Sequence, residues 1–207
     1  MTKLIWITPN ADKLIAYMAR VSNLNANVDD DSSKLIAYLI KHKHWSPFEM
    51  CNMCVEIETT RDITRQILRH RSFHFQEFSQ RYAEIDQGTI FSNPRLQDYE
   101  NRQNSIETFD EDIYEFWHNL QKDIWNSAYS AYKQAINEGI AKEVARKLLP
   151  EGMTKSKLYM NGTVRDWIHY INVRTDDSTQ LEHRHVAENI KDIFNENLPQ
   201  VAKALGY

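Results

Sequence analysis

The chain is expected to take an α+β fold: a small, mostly antiparallel sheet packed with several helices, one of them long. Three observations lead there. Segments beginning near Leu4, Cys51, Glu77 and Met153 suit strands, while the stretches between them repeat apolar residues at helical spacing. The longest helical pattern runs from Phe109 to Glu138. The five glycines form neither a GxGxxG fingerprint nor a P-loop, so no Rossmann motif is present and any phosphate must be held by side chains and helix ends.

A chain of 207 residues suits one domain, 1–207, with a substantial core. Hydrophobic content of 42% and aromatic content of 11% belong to a globular protein. The formal charge of −4 gives no general attraction to nucleic acid or anionic membrane, so clustered arginines need a local explanation. No apolar run approaches the roughly 20 residues that span a bilayer, and MTKLIWITPN lacks the apolar core of a signal peptide. A cytoplasmic location is therefore expected.

In order, Leu4–Ile7 is expected as a strand ended by Pro9 and Asn10, and Ala11–Ala19 as a short helix. NLNANVDDDSS is loop-like, with Asp31 or Ser32 capping the next helix. Leu35/Leu39 and Ile36/Ile40 make Lys34–Lys43 amphipathic. His42 and His44 form an HxH pair without a third ligand, and no metal is assigned to them. Cys51–Thr59 alternates Cys51, Met53, Val55 and Ile57 against Asn52, Cys54, Glu56 and Glu58, a half-exposed strand. That alternation sends the two cysteines to opposite faces, which favours buried thiols over a disulfide or a metal pair.

The central stretch, RDITRQILRHRSFHFQEFSQRY from Arg61 to Tyr82, changes period midway. Ile63, Ile67 and Leu68 mark a helix whose other side carries Arg61, Arg65 and Arg69. Gln66, Arg69 and His70 can face one place, a contact surface for an anion and a heterocycle. From Glu77 onward an extended segment is expected, with Glu77, Ser79 and Arg81 on one side and Phe78, Gln80 and Tyr82 on the other. A carboxylate, a hydroxyl and a guanidinium on one face need a polar ligand, ion partners or water.

Gln87–Gln103 reads as a long surface excursion without assigned chemistry. In Phe109–Glu138 the apolar row is Ile113, Phe116, Trp117, Leu120, Ile124, Ala128, Ala131 and Ala135, with Gly139 suited to a left-handed C′ position. Its aromatic residues suit core or a subunit contact. Glu143–Pro150 is a short helix stopped by proline, and Met153–Met160 returns to the sheet before Asn161-Gly162 turns the chain. Thr163 and Asp166 form a capping box. In the helix that follows, Val164, Trp167, Ile168 and Ile171 face the core, while Arg165, His169 and Asn172 line the opposite side as a candidate ligand wall. Arg174 closes this helix, and Asp177 or Ser178 caps a last one through Phe194, with Val186, Ile190, Ile193 and Phe194 inward. His183 and His185, set among charged residues, are expected at a solvated surface.

Arg69-His70-Arg71, then seven residues, then Ser79, resembles the signature of the flavin-dependent thymidylate synthases, with His74 where a Ser is usual and Gln76 where an Asn is usual. KHKHWSPFE is similar to the family's HGHxTPFE element, Ser46 replacing a Thr, and Arg20-Val21-Ser22 to its early ARVS segment. The resemblance extends over most of Arg20–Asp176, weakest between Glu84 and Glu107.

That resemblance implies reductive methylation of deoxyuridine monophosphate (dUMP) at carbon 5. The methylene would come from 5,10-methylenetetrahydrofolate, and reducing equivalents from NADPH through FAD. It gives Arg174 the role of stabilising the ionised pyrimidine ring. The nucleotide would be held by Gln66, Arg69, Glu77, Phe78, Ser79, Gln80, Arg81, Arg146 and Arg174. FAD would meet Ser22, Ser46, Arg69, His70, Arg71, Glu77, Arg165 and His169, with Asn161 and Thr163 competing for one further role. It also places His44 and Glu49 around flavin or folate and implies a homotetramer with shared sites. The alternative is a nucleic-acid-binding module using Arg61, Arg65 and Arg69 with Phe73, Phe75 and Phe78. The acidic balance and Glu77 weigh against it.

Overall fold

The structure, a computed structural model, describes residues 1–85 and 88–207. Gln87, where the surface excursion was expected to begin, lies outside the described residues, as does Asp86. The strands are β1 (Thr2–Ile7), β2 (Asn52–Thr60), β3 (His74–Glu77), β4 (Arg95–Gln97), β5 (Ser105–Glu107) and β6 (Lys155–Thr163). The helices are α1 (Ala11–Ala19), α2 (Ser33–Lys41), α3 (Arg61–Ile67), α4 (Glu111–Asn137), α5 (Lys142–Ala145), α6 (Val164–Arg174), α7 (Leu181–Asn197) and α8 (Pro199–Leu205). This is the expected α+β class.

The main sheet has the order β1-β2-β6-β3; the segments anticipated near Leu4, Cys51 and Met153 supply β1, β2 and β6, while β3 precedes the segment anticipated from Glu77 onward. β1 and β2 are antiparallel, Thr2 opposite Ile57 and Ile7 opposite Met53. β2 and β6 also run antiparallel: Val164 N donates to Cys51 O at 2.8 Å, while Arg61 N donates to Thr154 O at 3.0 Å at the other end. Cys54 on β2 and Cys51 just before it are both buried and unbridged. Burial pushes the Cys51 thiol up to about 11, helped by the Asp12 carboxylate, and burial raises that of Cys54.

Two local expectations are corrected. The central strand ends at Glu77 rather than starting there, and its last sheet bond runs from Phe78 N to Lys157 O at 2.8 Å. Beyond it Tyr82 N and Ala83 N both donate to Ser79 O at 3.1 Å, which closes a turn and ends the alternation. Asn161-Gly162 does not turn the chain either, because β6 continues through it. Gly162 answers a packing need: a Cβ there would lie 2.5 Å from Cδ1 of Phe73.

By its internal contacts the chain divides into two compact units. One comprises Met1–Ile57, His70–Gln76 and Tyr159–Tyr207. Its core includes Ile15, Ile36, Phe48, Trp167, Ile190 and Phe194, all fully buried. α6 packs on α7, and α2 on α8. The capping box is present, with Asp166 N donating to Thr163 Oγ1 at 3.2 Å and Thr163 N to Asp166 Oδ2 at 2.9 Å. Asp31 Oδ1 accepts from Ser33 N, while Ser32 turns its hydroxyl to Gln200. The last helical stretch differs from expectation. Asp176 takes Ser178 into a local turn, so α7 starts at Leu181, and Pro199 then opens α8. The buried Asp12 carboxylate accepts from Gln200 N and Val201 N at 2.9 and 3.3 Å, tying that last helix to α1.

The other unit comprises Glu58–Arg69 and Glu77–Leu158. Ile85, Trp125, Tyr132, Ala145, Leu149 and Met153 form its core, with Phe78 and Phe91 against them. α4 is capped by Asp110 and followed by Gly139 at φ 80°. Its buried face carries Gln121, Trp125 and Tyr132, not the row of Phe116, Leu120 and Ile124, which are 65%, 39% and 53% exposed. The cause is polar: Ile85 N donates to the Tyr132 hydroxyl at 3.0 Å, and Ser92 N to Gln121 Oε1 at 2.9 Å. The expected surface excursion contains β4, which pairs antiparallel with β5 just beyond its end.

Candidate functional site

Within the first unit, the end of α6 carries the most structured polar group. Arg174 Nε donates to His70 Nε2 at 2.8 Å. Among the described residues, the two terminal nitrogens of Arg174 have no hydrogen-bond partner. The His70 ring meets Tyr170 edge-on at 4.9 Å, and the Tyr170 hydroxyl lies 3.1 Å from His183 Nε2. His183, expected at a solvated surface, is fully buried. It belongs to the inward face of α7, where it partners a tyrosine hydroxyl that would otherwise be buried alone. His185 is exposed, as expected.

Burial, then the charges of Arg174 and His169, pushes His70 down to about 4. Burial, then Arg174 and His70, pushes His183 down to about 3. Both rings are neutral in the folded chain below their usual value of about 6.5. The unfolded chain therefore binds more protons in that interval, and stability is lost as pH falls from about 6.5 towards these depressed values. Thermal melts across that range will show this acid limb. It will be shallower in Tyr170→Phe/His183→Leu, which replaces both buried partners with apolar groups; an unchanged slope would remove His183 from the effect.

Three of the expected flavin contacts, Arg165, His169 and Ser46, line two clefts of this unit. Arg165 and His169 line one of about 600 Å³ with Trp45, Glu49, Ser72 and Asn172. Arg165 is paired with Glu49 there. Ser46 lines a second cleft of about 600 Å³ with Tyr17, Arg20, Leu24 and Met50. Ser22 and Arg71 are exposed turn residues. Asn161 and Thr163 differ: the Thr163 hydroxyl is engaged in the capping box, whereas Asn161 Oδ1 is buried without a partner. His44 is exposed, and its ring lies 6.1 Å from that of His42. Among the described residues no three His, Cys, Asp or Glu side chains gather as a metal site.

Most of the expected nucleotide contacts lie in the second unit. Arg81 Nε donates to a Glu143 carboxylate oxygen at 3.2 Å, and Arg146 Nε to the Glu143 carbonyl at 3.3 Å, so one residue gathers both guanidiniums. Glu143 was not anticipated; its only sequence signal is the i, i+3 spacing from Arg146. Glu77 Oε1 accepts from the buried Ser156 hydroxyl at 2.9 Å and lies 3.8 Å from Arg61. Gln80 is 4% exposed, and its Nε2 has no partner. Ser79 is half-buried in the turn and Phe78 packs on the core. Gln66 is half-buried on α3, and Arg69 is exposed just beyond it.

The arginine row does not behave as a nucleic-acid face. Arg61 is engaged with Glu77 and Arg65 with Glu151, while Phe73 is 4% exposed and cannot stack on a base.

A family model described as thymidylate synthase complementing protein matches residues 3–200. A probable flavin-dependent thymidylate synthase of Paramecium bursaria Chlorella virus 1 is 48% identical over 198 residues, 95% of this chain and 91% of that protein. A flavin-dependent thymidylate synthase of Synechocystis sp. is 47% identical over 192 residues, 93% of this chain and 88% of that one. Among solved structures, the UMP/dUMP methylase PolB from Streptomyces cacaoi bound with 5-Br dUMP superposes with a TM-score of 0.89 at 25% identity, covering 100% of this chain and 94% of that chain.

Proposed function

The chain belongs to the flavin-dependent thymidylate synthase family, and from that premise we propose that it methylates dUMP at carbon 5 to give dTMP, with FAD as cofactor. We further assign 5,10-methylenetetrahydrofolate as the methylene donor and NADPH as the reductant. The observation that carries the chemistry is Arg174, a guanidinium tethered through Nε while its two terminal nitrogens have no hydrogen-bond partner among the described residues.

The residues present suit FAD. The cleft at Arg165 and His169 offers the Trp45 ring, a cation and the Asn172 amide, and elsewhere Asn161 holds a buried carbonyl oxygen that needs a donor. Arg165, His169, Ser22, Ser46, Arg69, His70, Arg71 and Glu77 are the assigned contacts. Asn161 is preferred to Thr163, because the threonine hydroxyl already serves its helix. When bound, FAD supplies the hydride that turns a methylene into a methyl group.

On the nucleotide side, Arg69, Arg81 and Arg146 hold phosphate and sugar, since guanidinium forks match phosphate oxygens. Phosphate must draw Arg81 away from Glu143, an exchange that costs little for so exposed a pair. Gln66, Glu77, Phe78, Ser79 and Gln80 fix the base and ribose, with Ser156 and Arg61 orienting the Glu77 carboxylate. An arginine cannot serve as a base near neutral pH, so Arg174 acts as a cation beside the pyrimidine. There it stabilises negative charge on the ring and raises the electron density at carbon 5. The buried thiols take no part.

A homotetramer with sites shared among subunits suits the exposed apolar row of Phe116, Leu120 and Ile124 on α4. Unbridged cysteines suit a cytoplasmic location. The purified protein is expected to be yellow, and dUMP to perturb its flavin spectrum. A colourless protein that takes up no added FAD would contradict the proposal.

A further inference from the structure

We propose that His70 is a positioning residue for Arg174, its imidazole accepting the hydrogen bond that fixes the plane and direction of the guanidinium. This role rests on the assignment of Arg174 to the pyrimidine and goes beyond a flavin contact for His70.

The donor sense follows from the chemistry of the two groups. A guanidinium has no acceptor, so at 2.8 Å Arg174 Nε donates and His70 Nε2 accepts with its lone pair. His70 must then be neutral, with its proton on Nδ1. Its surroundings favour that form: the ring is half-buried, and a second positive charge beside Arg174 would be repelled.

The ring is itself held. Phe73 N donates to the His70 carbonyl at 3.2 Å, fixing the turn. Tyr170 meets the imidazole edge-on at 4.9 Å from one turn earlier on α6, and His183 lies beyond at 6.3 Å. Both are fully buried and bonded to each other, which leaves them little room to rearrange. With Nε committed, Arg174 offers a ligand only the edge formed by its two terminal nitrogens. Such an edge suits two adjacent acceptors, as on an ionised pyrimidine, and its aim depends on the His70 bond.

The test compares His70→Gln, whose side-chain oxygen reaches the place of Nε2, with His70→Leu, which fills the space without an acceptor. At matched flavin occupancy, His70→Leu is expected to lower kcat for dTMP formation about 100-fold with little change in KM for dUMP, and His70→Gln to recover most of that loss. Flavin reduction by NADPH alone is measured in each variant, and turnover is compared relative to it, which separates the bond to Arg174 from the flavin contact of His70. Equal turnover in the two variants would overturn the proposal. Nitrogen-15 NMR of the wild-type histidines gives an independent readout: His70 as the Nδ1–H tautomer supports the bond, and the Nε2–H tautomer or an imidazolium at neutral pH overturns it. Should the wild type form no dTMP, the functional assignment falls while the tautomer still decides the positioning bond.

Discussion

Arg174→Ala is expected to lower dTMP formation by about 1000-fold or more while the protein stays folded and keeps FAD. The separation follows from where the residue sits. Arg174 is the last residue of α6, half-buried, and among the described residues its one hydrogen bond to another side chain runs to His70. The helix does not depend on it, since the capping box holds one end and Val164, Trp167, Ile168 and Ile171 anchor its face. The proposed chemistry does depend on it, because the ring charge would have no cation beside it. Arg174→Lys should not restore activity, as an ammonium cannot hold His70 and present a planar edge together. Undiminished turnover in Arg174→Ala would remove the residue from the reaction.

Gly162→Ala is expected to cost about 3 kcal/mol, or about 10 °C in Tm, a large effect for one methyl group. The new Cβ would lie 2.5 and 2.6 Å from Cδ1 and Cε1 of Phe73, a clash that something must relieve. The ring has nowhere to go. Phe73 is 4% exposed and packs edge-on against Trp167 at 4.6 Å, and Trp167 is itself buried with its Nε1 donating to Met53 O at 2.9 Å. Moving the strand instead would disturb the β2–β6 ladder. Because Phe73 closes the turn that begins at His70, turnover should fall as well. Adding Phe73→Leu should recover part of the stability. A Gly162→Ala protein that melts with the wild type would show that the contact is not tight in solution.

Signals confined to one element were legible in the sequence. The cap of α6 and, apart from the buried Tyr170, its inward face were readable, because Thr163, Asp166 and the apolar spacing act within a few residues of one another. β2 was readable from its alternation for the same reason. What failed depends on partners distant in sequence. The buried face of α4 is selected by Ile85 and Ser92, and His183 is buried because the Tyr170 hydroxyl needs it. Alternation continued past Glu77 into a turn whose bonds to Ser79 O leave no mark on the pattern. Among the candidate site residues, the motif identified Arg69, Arg81 and Arg174 but not what holds them: Glu143 and His70 reach Arg81 and Arg174 across 62 and 104 positions.

The most direct measurement is release of tritium from carbon 5 of labelled dUMP by the purified protein. Supplied with FAD, NADPH and 5,10-methylenetetrahydrofolate, the wild type should release it and accumulate dTMP, with no turnover when the folate is withheld. Retention of the label with all components present, in protein shown to bind FAD and dUMP, would contradict the assignment of this chain as a dUMP methylase.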